Sequence, residues 1–338
     1  MNRGLGWSRA LLLLLLVLFW GLCFPGCGPE LQPREEFEFP EAQLPPEPGA
    51  GRVGLLYYPD QQWRFLVPVQ REIPDSGTVV RTTLEKLVGT PQLREELEPL
   101  GLVPLLPSET TVFGIHIDEA GLARVDFSSS FVDYNPSGER LVLGGLLCTL
   151  QQFSEIEQLE VFVEGQSLDK FPGGTPGRIP LGPESLINLE VDDALKDYHN
   201  FTAVTVYFCF FAPQGRILYV PVTRALQPAE DSSAAAIEEL LAGPRSGSGL
   251  FSDIPADTEL RSLHLEEELI IIDLSEELLS YEGGRTGAEN IVNQILLTLA
   301  QLEGVNKVQI LVEGEKVKLP EGTDLTVPLE PPGVYNFF

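Results

Sequence analysis

The sequence is short of histidine, cysteine and positive charge. Among 338 residues there are 3 histidines and 4 cysteines, and 22 Lys and Arg stand against 50 Asp and Glu. A formal charge of −28 leaves no basic stripe to displace phosphate counterions, which argues against a nucleic-acid partner. It argues equally against anionic lipid headgroups as a partner of the folded part. With so few bases, no nucleophile, base and orienting group can be assembled. His116, His199 and His264 are scattered, and one histidine per domain cannot build a zinc site unaided. The glycine pairs Gly144-Gly145, Gly173-Gly174 and Gly283-Gly284 lack the Gly-Lys-Ser/Thr tail of a phosphate loop, so they read as turns or close packing. These absences predict a protein that is not an enzyme and uses neither cofactor nor metal.

Long apolar runs are also scarce, and the one present lies at the N-terminus. Arg3 and Arg9 lead into Ala10 to Leu22, after which Gly and Pro surround a cysteine. The run is too short for a spanning helix and reads as an export signal over residues 1–26. Cys27 follows Gly26 whereas Cys23 follows Leu22, and signal peptidases require a small upstream residue. The arrangement resembles a bacterial lipobox with Cys27 as the lipid attachment, although Phe24 and Pro25 depart from its usual Leu and small residue. The alternative is a plain secretory signal. Residues 27–52 interleave Pro and Glu and form no core; an extended stalk of up to ~70 Å, at ~3.1 Å per residue, is expected.

What remains is dominated by an internal repeat. Val67-Pro68-Val69-Gln70-Arg71 returns as Val220-Pro221-Val222-Thr223-Arg224, and His116 pairs with His264. Val125-Asp126-Phe127-Ser128 answers Ile272-Asp273-Leu274-Ser275, and Val163-Glu164-Gly165 answers Val312-Glu313-Gly314. Pro180-Leu181 and Asn188 repeat as Pro328-Leu329 and Asn336. A period of this length means duplicated domains able to fold alone, not solenoid units. The expected domains are 53–190 and 203–338, joined by an acidic linker over 191–202. The first carries an insertion before Gly101 and Gly-Thr-Pro where the second has Gly-Pro. The copies therefore read as one module with two different faces.

Each copy opens with two aromatic and β-branched runs about a turn, which marks a hairpin. Pro68 and Pro221 place its second strand at a sheet edge, because proline cannot donate to a ladder. A helix with Leu84 and Leu87, or Ile237 and Leu240, follows. Then come a second hairpin, an amphipathic helix and a last strand. The order ββαββαβ predicts an α+β fold, with two helices on one face of a mixed sheet in each of two tandem copies. Cys148 and Cys209 fall in apolar segments of different copies and are expected to be thiols, not a disulfide. Asp126 and Asp273 are positioned to hold a turn. Arg71 and Arg224 could pair with a partner's carboxylate or form an internal salt bridge.

On these features the sequence resembles the GerM domain family, and as a whole a tandem-GerM sporulation lipoprotein. The Val-Pro-Val-x-Arg strand end, the helix closing at Gly243-Pro244 and Ile272-Asp273-Leu274-Ser275 carry the likeness, over nearly all of 53–338. The resemblance implies a role in endospore formation and germination, on the outer face of the membrane between mother cell and forespore. It implies kinship to ring-building modules, hence other envelope or sporulation proteins as partners in a possible ring-type assembly, with the membrane reached only through the lipid anchor. The alternative function is an extracytoplasmic binding lipoprotein for a small ligand or cell-wall fragment, which requires a cleft between the copies lined by aromatics.

Overall fold

Alternating apolar residues about a turn produce the opening hairpin of each copy. In the computed structural model, which describes residues 49–75, 79–182, 187–197, 199–321 and 323–338, β1 (Gly49–Pro59) pairs antiparallel with β2 (Leu66–Asp75). The expected signal segment 1–26, Cys27 and the stalk as far as residue 48 lie outside the described residues. β1 starts at Gly49, so the last residues assigned to the stalk are strand.

Helix α1 (Val79–Glu85) follows, and then α2 (Pro91–Leu97). The second helix is built on the insertion that only the first copy carries. Its start is written locally: Pro91 fills the first turn, where its missing N–H costs nothing, and the Thr90 hydroxyl accepts from the Leu93 amide at 3.1 Å. Gly-Thr-Pro thus ends one helix and caps the next. β3 (Val112–Ile117) and β4 (Leu122–Phe127) form the second hairpin. α3 (Glu139–Leu150) then crosses over to β5 (Gln158–Val163), which lies parallel to β4, and the two-residue β6 (Gln166–Ser167) turns back on it. A parallel neighbour requires such a crossover.

The second copy repeats the order with β8 (Thr202–Phe211), β9 (Ile217–Leu226), α4 (Ser232–Leu241), β10 (Leu260–Glu266), β11 (Leu269–Leu274), α5 (Gly284–Leu299) and β12 (Lys307–Val312). Both copies are therefore α+β with the order ββαββαβ, to which the first adds α2 and β6. The ladders are divided, however. Each opening hairpin is hydrogen-bonded separately from the mixed sheet, β3-β4-β5 or β10-β11-β12.

α3 turns a broad apolar face to the core, as expected of an amphipathic helix: Leu141, Val142, Leu143, Leu146, Leu147 and Leu150 are all buried, while Arg140 on the remaining side is exposed and Gly144 and Cys148 are half-buried. Gly145 lets it sit close, since a Cβ there would stand 2.8 Å from Leu105.

The duplicated Asp-x-Ser runs close the sheets in the same way twice. Asp126 and Asp273 accept the amides of Gly165 and Gly314 at 2.9 and 2.7 Å. Ser128 and Ser275 accept from Thr111 and Glu259 at 3.0 and 2.9 Å. Glu164-Gly165 and Glu313-Gly314 hold positive φ at both residues (53° and 74°, 50° and 76°). That is the requirement of a tight turn matching strand twist, and the carboxylate fixes it.

Glu139 carries a comparable load in the first copy alone. It is buried and accepts from the Tyr134 hydroxyl at 3.0 Å, the Thr175 amide at 2.9 Å and the Gly173 amide. Burial opposes its charge, but the Thr175 hydroxyl and amide, the Gly173 amide and Tyr134 hold its carboxyl below the usual range. A lowered folded value means that the contribution is complete above the ordinary glutamate value of ~4.3 and is lost as pH falls through the folded one. Glu139→Gln is expected to lower the melting temperature at pH 7. The deficit should shrink on acidification below about pH 4, which thermal denaturation across pH will check.

Candidate functional site

The described residues belong to one compact unit, and the reason is a seam where β2 of the first copy lies beside β9 of the second. These strands do not pair. Asn188 fills the gap instead: its Oδ1 accepts from the Leu66 amide at 2.7 Å, while its Nδ2 donates to Leu66 O at 2.8 Å and to Pro221 O at 2.7 Å. Asn336 does the same with the copies exchanged. It accepts from the Tyr219 amide at 2.8 Å and donates to Tyr219 O at 2.7 Å and Pro68 O at 2.8 Å. Leu66 and Tyr219 are equivalent residues, as are Pro68 and Pro221, so the seam is a pseudo-two-fold contact. Both asparagines sit at positive φ, 48° and 51°, a conformation their short polar side chain tolerates. β2 is an edge of the two-stranded ladder β1-β2, as expected of the Pro68 strand, but the same expectation for the Pro221 strand is corrected: β9 lies between β8 and β7 (Glu190–Val191). Pro221 avoids the missing donor because β7 pairs only at Arg224 and Ala225.

Each copy also lends its tail to the other. β7, which follows the first copy, runs parallel to β9. Gln70 of β2 donates to Asn336 O and accepts from the Phe338 amide, both at 3.1 Å. The hairpin ends cross as well. Phe210 meets Phe65 edge-on at 5.3 Å, and Phe210, Ala212, Leu218 and Val220 are part of the first copy's core. Gly101 (φ 69°) is required there, because a Cβ would lie 2.8 Å from the Pro213 ring. The copies are therefore not separate bodies with a linker between them.

The two candidate arginines sit at equivalent places, opposite Gly54 in β1 and Val204 in β8, in unlike surroundings. Arg224 is enclosed, its side chain only 5% exposed. It bonds Glu190 at 3.0 Å, Glu239 Oε2 at 2.8 Å, Glu239 O at 2.8 Å and Gly243 O at 2.7 Å, and lies over the Phe208 ring at 5.2 Å. Glu190 comes from the first copy's tail, so this ion pair also ties the copies together. Arg71 is 14% exposed, pairs with Glu96 of α2, reaches the Tyr58 hydroxyl at 3.4 Å and faces the Phe338 ring at 5.8 Å.

Groups that could do chemistry are dispersed. His116 lies on β3, His264 on β10 and His199 in the connecting segment. Among the described residues no three His, Cys, Asp or Glu side chains gather as metal ligands. Cys148 and Cys209 are thiols. Burial pushes Cys148 up to about 12 and Cys209 further in the same direction, the reverse of an activated nucleophile. The aromatic groups between the copies are packed together: Tyr207 and Tyr335 meet edge-on at 5.9 Å, with their hydroxyls 3.3 Å apart. An open groove of about 640 Å³ does exist, lined by Trp63, Arg94, Leu102, Pro104 and Tyr134, but all of these residues belong to the first copy. The described helices include none long and apolar enough to cross a membrane.

The family model described as Germane, sporulation and spore germination, matches the chain twice, over residues 55–169 and 205–318. The spore germination protein GerM of Bacillus subtilis strain 168 is 31% identical over 279 residues, which is 80% of this chain and 75% of that protein. The solved structure of the tandem GerMN domains of Bacillus subtilis GerM superposes with a TM-score of 0.71 at 29% identity, covering 85% of this chain and 99% of that one.

Removing either seam carboxamide leaves backbone groups at a part-buried seam without partners, at a cost of about 1–3 kcal/mol. Asn188→Ala and Asn336→Ala are each expected to destabilise the chain, and Asn188→Gly by about 1 kcal/mol less, because glycine bears the positive φ. Denaturant titration checks the order. Arg224→Gln should lower the melting temperature more than Arg71→Gln, since more enclosed partners are stranded.

Proposed function

The chain belongs to the Germane family of sporulation and spore-germination proteins, and we propose that it acts as a non-enzymatic scaffold tethered to the membrane through lipid on Cys27. The tether is followed by a Pro- and Glu-rich stalk that sets the folded part away from the lipid. The proposed location is the outer face of the membrane, between mother cell and forespore, and the proposed partners are other envelope or sporulation proteins.

The observation that favours a scaffold is the reciprocal asparagine seam. It holds two copies of one fold at a fixed angle, so each presents a different surface in a defined relation to the other. Rigid presentation suits positioning of partners, and it lowers the entropy that each contact must overcome. The polar groups repeated in both copies serve turns and the seam. The surfaces that differ, α2 foremost, remain available for recognition.

In sporulating cells of the source organism, a tagged chain is expected in the membrane fraction, and Cys27→Ala in the soluble extracytoplasmic fraction. Crosslinking of the wild type should yield a defined protein partner, lost on deletion of the folded part. Persistence of the Cys27→Ala chain in the membrane would count against the anchor. Recovery of no specific partner would count against the scaffold.

A further inference from the structure

Two features peculiar to the first copy converge on one place. α2 belongs to that copy alone, and so does the hairpin turn that carries Trp63. The second copy turns the equivalent hairpin through Pro213-Gln214-Gly215 and sets glycine at the positive φ, 80°. The first sets Trp63 at a φ of 55°, a region that a bulky side chain enters only when its surroundings impose it. Asp60 imposes it here. Its fully buried carboxylate accepts from the Gln62, Arg64 and Phe65 amides at 3.3, 2.6 and 3.2 Å and from Arg64 Nε at 2.8 Å. The indole is seated on Gly138, where a Cβ would stand 2.8 Å from the ring.

The turn and α2 both line the open groove of about 640 Å³. The Gln61 amide donates to Gly101 O and the Val103 amide to Pro59 O, both at 3.0 Å, which bonds the turn to the segment that follows α2. Tyr134 is the second aromatic residue of the lining. Glu139 holds its hydroxyl at 3.0 Å, and Phe131 meets its ring edge-on at 6.0 Å. Both rings are thus fixed in the free chain, so an aromatic anchor is presented at small entropic cost. Residues 102–107, all apolar, line the groove as well. Its charged lining residues are Glu95, Glu98, Asp133 and Arg94, all exposed. Arg94 turns its Nε onto Gly89 O at 3.2 Å, and among the described residues none of the three carboxylates forms an ion pair. Three unpaired carboxylates against one guanidinium leave the groove negative.

We propose that this groove of the first copy binds a segment of a partner protein in which lysine or arginine stands beside proline or an aliphatic residue. The cation would lie against the Trp63 indole, within reach of the carboxylates. Charge complementarity and the electron-rich ring face select the cation, and the apolar lining selects its neighbours. An acidic segment is repelled. The inference gives the scaffold reading a recognition chemistry, and rests on that reading for its role in cells. Peptide binding in vitro and recovery of a partner from cells are separate measurements, so failure of one is distinguishable from failure of the other.

The test uses the whole folded part and a rhodamine-labelled, end-blocked peptide of Pro-Leu-Arg-Pro-Leu-Lys flanked by glycines, followed by fluorescence anisotropy. Wild type is expected to bind saturably, more weakly as salt rises, and to ignore the same peptide with Glu in place of Arg and Lys. Trp63→Gly removes the ring while suiting the positive φ, and should weaken binding by at least about tenfold. Glu95→Gln together with Glu98→Gln, on exposed side chains, should weaken it at least about threefold with the melting temperature unchanged. Glu303→Gln, on an exposed acid of the second copy, should leave binding as it is. Absence of wild-type binding, or wild-type affinity in either groove variant, would overturn the proposal. So would equal binding of the Glu-substituted peptide, or complete displacement of the peptide by a neutral chitin tetrasaccharide, which would assign the groove to glycans.

Discussion

Two carboxamides hold this molecule together. Asparagine is suited to the position because its oxygen and nitrogen present an acceptor and two donors on adjacent atoms. It can complete the N–H and C=O of one residue on its own copy's strand and still reach a carbonyl on the other strand. Aspartate cannot donate, and glutamine sets the same atoms one methylene further away. Without this bridge, β2 and β9 would lie side by side with backbone groups unmet, and the hairpin ends, tails and Phe65–Phe210 contact that depend on their spacing would lose their geometry.

Around that constraint the duplicated chain has kept some pairs and exchanged others. Asp126 and Asp273, Ser128 and Ser275, and Asn188 and Asn336 perform the same bond in each copy. Arg71 and Arg224 do not, because their neighbours changed together: Tyr58 for Phe208, Lys86 for Glu239, and Glu96 brought in by α2. Coupled exchange is what a buried charge demands, since altering one partner alone strands the other.

Much of the fold was legible because it is written locally. Hydrophobic period, turn residues and the offset between copies give the element order, and Asp126 shows its purpose by standing in an Asp-x-Ser run twice. The helix α2 was harder to read. Its seven residues are too few for a strong period, and Gly-Thr-Pro reads as a helix stop although Thr-Pro is equally a start. The seam was hardest. Asn188 and Asn336 stand out as a matched pair, but nothing nearby in sequence reveals a bond to a strand of the other copy, and Pro221 reads as an edge residue for the same reason. The enclosure of Arg224 likewise depends on Glu190, whose approach to β9 has no period to announce it.

The exchange of tails has a temporal side. Asn336 bonds Pro68 across 268 residues of chain, so the first copy's strand is finished by a segment that leaves the ribosome only after the strands of the second copy. Until then β2 has one flank open, and a partly delivered chain carries an incomplete seam. Closing so long a loop is slow. A chain cut short before Asn336 would keep the Asn188 half of the seam and the Glu190–Arg224 pair but lose the reciprocal half.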